Sequence, residues 1–107
     1  MIDWSRVGEL REEIGPEDFS EVVDIFLEEV DAAIEALGDG SASLDEQLHF
    51  LKGSALNLGF AEFAELCQRG ETEAASGKAA IDLQAVASCY QASRDTFVAH
   101  LSDAFAA

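Results

Sequence analysis

The chain has 107 residues, 49 % of them hydrophobic, and sets 22 Asp and Glu against 6 Lys and Arg for a formal net charge of −16. One domain over residues 1–107 fills that length and leaves no room for a nucleotide-binding domain beside it. The charge excludes a generic nucleic-acid surface and disfavours an anionic membrane, since both need clustered cations. Apolar residues spread along the whole chain exclude a disordered acidic tail. Two cysteines, Cys67 and Cys89, make neither a disulfide framework nor a zinc site. No signal peptide and no apolar run near ~18 residues is present, so the expectation is a soluble, cytoplasmic chain that works with another protein.

Hydrophobic spacing follows the helical period in five segments, with no sustained period-two alternation. The first helix is expected over about Asp3 to Ile14, with Asp3 as N-cap and Trp4, Val7, Leu10 and Ile14 on one side. Gly15-Pro16 punctuates it, and Pro16 suits the first turn of a long second helix reaching Leu37. The stripe of that helix reads Phe19, Val22, Val23, Phe26, Val30, Ile34 and Leu37. A third helix begins near Ser43, where Ser43 and Glu46 have capping-box spacing, and carries Leu44, Leu48, Leu51, Ala55 and Leu58 inward. Gly59 interrupts it. The fourth helix runs from about Phe60 to Ser76, with Phe60, Phe63, Cys67 and Ala74 inward and Gly77 as its stop. The last spans about Ala80 to Ala104, with Val86, Tyr90, Phe97, Leu101 and Ala104 on its apolar side and His100 at the edge of that side. Short connections between amphipathic helices make neighbours antiparallel. The expected fold is all-α: an antiparallel up-down four-helix bundle with a short N-terminal helix.

One helix face does not read as packing. On a wheel at about 100° per residue, His49 points roughly 140° away from the leucine stripe of the third helix, toward solvent. Asp45 and Glu46 lie one turn before it; Lys52, Gly53 and Leu56 lie on the turns after. Gly53 costs about 1 kcal/mol relative to Ala inside a helix and has no side chain to pack. Lys52 is the only cation between Arg11 and Arg69. An exposed imidazole, a lone cation and a bare stretch of backbone on one surface point to an approaching partner and an anionic group on the histidine. No metal site is expected, because Asp45 is the single i, i−4 companion of His49 and two ligands are too few.

His49 to Gly59 reads HFLKGSALNLG. It resembles the signature of histidine-containing phosphotransfer domains of phosphorelays: a His, then Lys three on, Gly four on, Ser five on and Gly ten on. His49, Lys52, Gly53, Ser54 and Gly59 match all five. The next helix, FAEFAELCQRGE, also resembles the family and puts Glu71 where a Gln or Glu often reaches the active-site face. Ala55 departs from a frequent second Ser, and Gly70 stands where a larger residue is common. The resemblance implies that His49 accepts a phosphoryl group through Nε2 from the aspartyl phosphate of a receiver domain and passes it to another. Lys52 would stabilise the phosphoryl oxygens. Gly53, Leu56, Asp45 and Glu46 would meet the partner. The partners implied are receivers of response regulators or hybrid histidine kinases. The chain would be a phosphotransfer intermediate without autokinase activity and without a cofactor of its own, Mg²⁺ residing on the receiver.

Other classes fit less well. A sensor histidine kinase needs an ATP-binding domain, and usually an acidic residue after its histidine, where Phe50 stands here. An acyl carrier protein needs an Asp-Ser-Leu motif that this chain lacks. The remaining alternative is an acidic helical adaptor in which His49 is incidental. A self-contained bundle favours a monomer.

Overall fold

The computed structural model describes residues 2–77 and 81–104. Among these the chain is all-helical: α1 is Trp4–Ile14, α2 Phe19–Ala36, α3 Leu44–Leu58, α4 Ala61–Ala75 and α5 Leu83–Ala104. Asp3 caps α1 as its residue type predicts, its carboxylate accepting from the Arg6 amide at 3.2 Å. Gly15, at φ +100°, ends α1.

Several boundaries differ from the sequence reading. Residues 16–18 form a turn in which the Asp18 and Phe19 amides bond back to the Gly15 carbonyl, so α2 starts at Phe19 rather than at Pro16. Its buried line is Phe19, Val23, Leu27 and Val30, which puts Leu27 at the centre and Val22 and Phe26 at the margins. Ser43 is the N-cap residue of α3 but makes no side-chain cap bond, so the capping box is not formed. The turn is instead closed by Gln47: its Oε1 accepts from the Gly38 amide at 3.0 Å and its Nε2 donates to the Ala36 carbonyl at 2.9 Å. Asp82 caps α5, accepting from the Ala85 amide at 3.0 Å; the expected start at Ala80 lies outside the described residues. On α4 the inward set is Phe63, Ala64, Cys67 and Gly70, with Ala74 only half-buried. The side chain of Ala104 also lies outside the description, and His100 is fully on the surface.

α3 is the central element, packed against α1, α2 and α4, and α5 closes the bundle on α4. Leu48, Leu51, Ala55 and Leu58 are buried along its inner face. An aromatic cluster fills the space between α1, the α3–α4 corner and α5: Trp4 stacks on Phe97 with centroids 5.8 Å apart, Phe60 meets Phe97 edge-on at 5.3 Å, and Phe63 meets Tyr90 at 5.3 Å. Gly59, at φ +77°, turns the chain from α3 into α4, and a Cβ there would lie 2.7 Å from the Asp3 carbonyl oxygen. The Asp3 amide donates to the Gly59 carbonyl at 2.7 Å. That close approach fixes the corner, and with it the angle at which α4 returns along α3. No helix among the described residues is long and apolar enough to cross a membrane.

Candidate functional site

The outward face of α3 carries the candidate site, and α4 completes it. The His49 side chain is 68 % exposed, as the wheel predicts. From α4, Glu71 reaches across so that its Oε1 lies 2.8 Å from His49 Nδ1. Its other oxygen, shielded from solvent, lies 2.9 Å from Lys52 Nζ. Lys52 also donates to Gln68 Oε1 at 2.9 Å, and Gln68 Nε2 donates to Thr72 Oγ1 at 3.1 Å. Lys52 and Glu71 are about one-fifth exposed. A flexible lysine and a flexible glutamate are thereby held in one place.

Lys52 beside the Glu71 carboxyl holds it below the usual carboxylate range, outweighing the opposite effect of burial, and the contact with His49 adds to the lowering. An ionised carboxylate only accepts hydrogen bonds, so His49 Nδ1 must be the donor. In the uncharged ring that leaves the lone pair on Nε2, which makes no hydrogen bond among the described residues. The unheld nitrogen of an exposed ring is a nucleophile with open access.

Glycines shape the site in two ways. A Cβ added at Gly53 would meet nothing within 4 Å, so close helix packing does not account for a glycine there. Gly53 leaves bare backbone one turn from the imidazole. Gly70 is buried, and a Cβ there would come within 3.0 Å of Leu48 Cδ1. Its missing side chain lets α4 lie close to α3 beside Leu48 and Glu71, the neighbours of His49 and Gly70 in the chain. A larger residue would press on the Leu48 side chain, which would have to give way.

Residues 21–106 match the family model of the Hpt domain. The chain belongs to the Hpt domain family. Hpt domains carry out histidine phosphotransfer in phosphorelay signalling and exchange phosphoryl groups with response-regulator receiver domains. No curated protein and no solved structure gives a significant match. The part matching the Hpt domain takes in nearly all of α2 and the whole of α3, α4 and α5, and so every residue of the face just described.

Within this Hpt domain the sequence-derived candidates divide. His49, Lys52 and Glu71 come together as one hydrogen-bonded, ion-paired group. Gly53 and Leu56 are exposed further along the same helix. Asp45 and Glu46 make no hydrogen bond or ion pair with His49, so their contribution to the ring is at most the field of a charge one turn away. The sequence reading passed over two residues. Gln68 is one, and its signal was available: it stands three residues before Glu71, on the same face of α4. Phe50 is the other; it is exposed beside His49 and lines a shallow groove with Ala33, Ala36 and Ala42. Among the described residues no group of three His, Cys, Asp or Glu side chains converges as a metal site.

Proposed function

We propose that the protein accepts a phosphoryl group on His49 Nε2 from the aspartyl phosphate of one receiver domain and passes it to another. The observation that carries this reading is the exposed imidazole whose Nδ1 is held 2.8 Å from an ionised carboxylate. Phosphoryl transfer depends on in-line positioning and charge stabilisation more than on covalent assistance. Glu71 supplies the positioning by fixing the tautomer and the plane of the ring. Lys52, held by Glu71 and Gln68 close to the ring, supplies a positive charge for the oxygens of the transferring group. Mg²⁺ and the acidic residues that hold it belong to the receiver, which makes this domain half of a composite site.

Gly53 gives clearance for the receiver's loops, while Phe50 and Leu56 offer apolar contact on either side of the histidine. The supporting bundle is read as an up-down antiparallel set of α2 to α5 with α1 laid against it, consistent with the tight Gly59-Phe60 corner. In the same reading the protein is a cytoplasmic monomer, and sedimentation tests the oligomeric part. The central test is His49→Gln. Incubation with a phosphorylated receiver domain should label the wild type with acid-labile phosphate and leave the variant unlabelled, while the helical melt stays unchanged. Label retained on the variant overturns His49 as the acceptor, and no label on the wild type with a panel of receivers overturns the reading in favour of an adaptor.

A further inference from the structure

We propose that the Glu71 carboxylate keeps the Nδ1 proton on the ring after His49 has been phosphorylated, so that the protein is poised to donate its phosphoryl group rather than to store it. The inference rests on the reading of His49 as the acceptor. It begins from the uncharged ring with its proton on Nδ1, the form that Glu71 imposes. As the Nε2 lone pair bonds to phosphorus, the O–P bond of the aspartyl phosphate breaks and the receiver's carboxylate leaves with its electron pair. The ring now carries phosphorus on Nε2 and a proton on Nδ1, and it is a cation.

Loss of that proton would leave a lone pair on Nδ1 facing Glu71 Oε1 at 2.8 Å. An ionised carboxylate has no hydrogen to offer it, so two lone pairs would oppose each other. Retention of the proton preserves a charge-assisted hydrogen bond instead. The carboxylate cannot easily escape this role, because Lys52 Nζ grips its other oxygen at 2.9 Å and is itself held by Gln68. On α3, Asp45 and Glu46 lie on the turn before the ring and favour the cation. Lys52 opposes it, but its charge is balanced by Glu71.

Donation then needs no proton to be fetched. A receiver carboxylate oxygen attacks phosphorus, the N–P bond breaks, and Nε2 takes back its pair. The leaving group is the same uncharged Nδ1–H imidazole that began the cycle. An amide at this position behaves differently, since it can turn over and donate its N–H to a bare Nδ1. It would stabilise the uncharged phosphoimidazole and slow departure. Carboxylate against amide therefore sets whether the phosphorylated state is short-lived or durable.

The test charges the histidine with potassium phosphoramidate, which needs no receiver, in a His100→Gln background with and without Glu71→Gln. Heteronuclear NMR follows Nδ1 protonation of phosphorylated His49 against pH, and donation to an uncharged receiver domain is timed at about pH 8, above the ordinary imidazole range. With Glu71 in place the proton should persist to a pH about one unit higher, and donation should be about tenfold faster than in the Glu71→Gln protein. The same protonation midpoint in both proteins, or equal or faster donation after Glu71→Gln, overturns the inference while leaving His49 as the acceptor. Charged protein that retains Glu71 and gives its phosphate to no receiver overturns the acceptor reading itself, and the NMR arm still reads the proton.

Discussion

Two carboxylates in this molecule hold the same kind of company with opposite results. Asp31 on α2 accepts from the Tyr90 hydroxyl at 2.6 Å and from Arg94 Nε at 3.2 Å; Glu71 on α4 meets His49 at 2.8 Å and Lys52 at 2.9 Å. Each is an acid bound to one ring and one cation. At the first the ring is buried, Tyr90 being 2 % exposed and packed against Phe60 and Phe63. At the second the ring is open to solvent. Burial turns the Asp31 group into a latch between α2 and α5, while exposure leaves the Glu71 group with an unclaimed nitrogen. Hydrogen-bond chemistry alone does not mark a reactive site; the accessibility of the atom left over does.

The largest separation of the two groups is expected from Tyr90→Phe. Removing a hydroxyl bonded to a charged carboxylate should cost about 1–2 kcal/mol of stability, read as a lower melting temperature, with the transfer rate at saturating receiver unchanged. A transfer defect would show that the latch shapes the site. Lys52→Ala should do the reverse, slowing transfer by about tenfold, since the lost charge acts mainly on the transition state. Its melt and its affinity for unphosphorylated receiver should change little; a large affinity loss with an unchanged rate would make Lys52 a docking residue.

Gly53 sharpens the role of clearance. Gly53→Ala should gain up to about 1 kcal/mol in a melt, because the added methyl meets nothing and the helix favours it. Gly53→Gln should fold equally well yet transfer several-fold more slowly, and wild-type transfer from it would refute the clearance argument.

The smallest effects are in pH, where the groups should fail at opposite ends. Glu71 is held below the carboxylate range, chiefly by Lys52, so its contribution is present above the ordinary value of about 4.3 and lost as pH falls through its lowered one. The melting difference between wild type and Glu71→Gln should therefore shrink in acid. Burial first, and Asp31 second, push the Tyr90 hydroxyl above its ordinary value of about 10. Its contribution is present below that value and lost as pH rises through the raised one, so the melting difference for Tyr90→Phe should shrink in alkali. A Glu71 difference that survives acid, or a Tyr90 difference that survives alkali, would show that ionisation does not control that group.

What could be read from the residues follows a physical boundary. Helical period, glycine stops and the outward direction of His49 are properties of single helices, and all were legible. The start of α2 was missed because Pro16 is equally at home in the turn that residues 16–18 form. Ser43 makes no side-chain cap bond, and Gln47, deeper in α3, instead ties the start of that helix back to Ala36 and Gly38, a contact across the loop that local cap spacing does not contain. The Lys52–Gln68 bond and the close approach at Gly70 are relations between two helices. They depend on crossing angle and rotation, which periodicity along one chain does not contain. Glu71 was reached through family resemblance; no spacing rule within a helix leads from it to His49.

The bond between His49 and Glu71 spans 22 positions of chain, whereas that between Asp31 and Tyr90 spans 59. For a flexible chain the shorter closure costs about 0.9 kcal/mol less entropy, and folding one helical hairpin about the Gly59 corner is enough to make it. The phosphoacceptor face is therefore built from contacts of low order. Fraying of α5 or release of its latch to α2 breaks no bond within that hairpin, and hydrogen exchange should find the facing amides of α3 and α4 protected through openings that expose the end of α5.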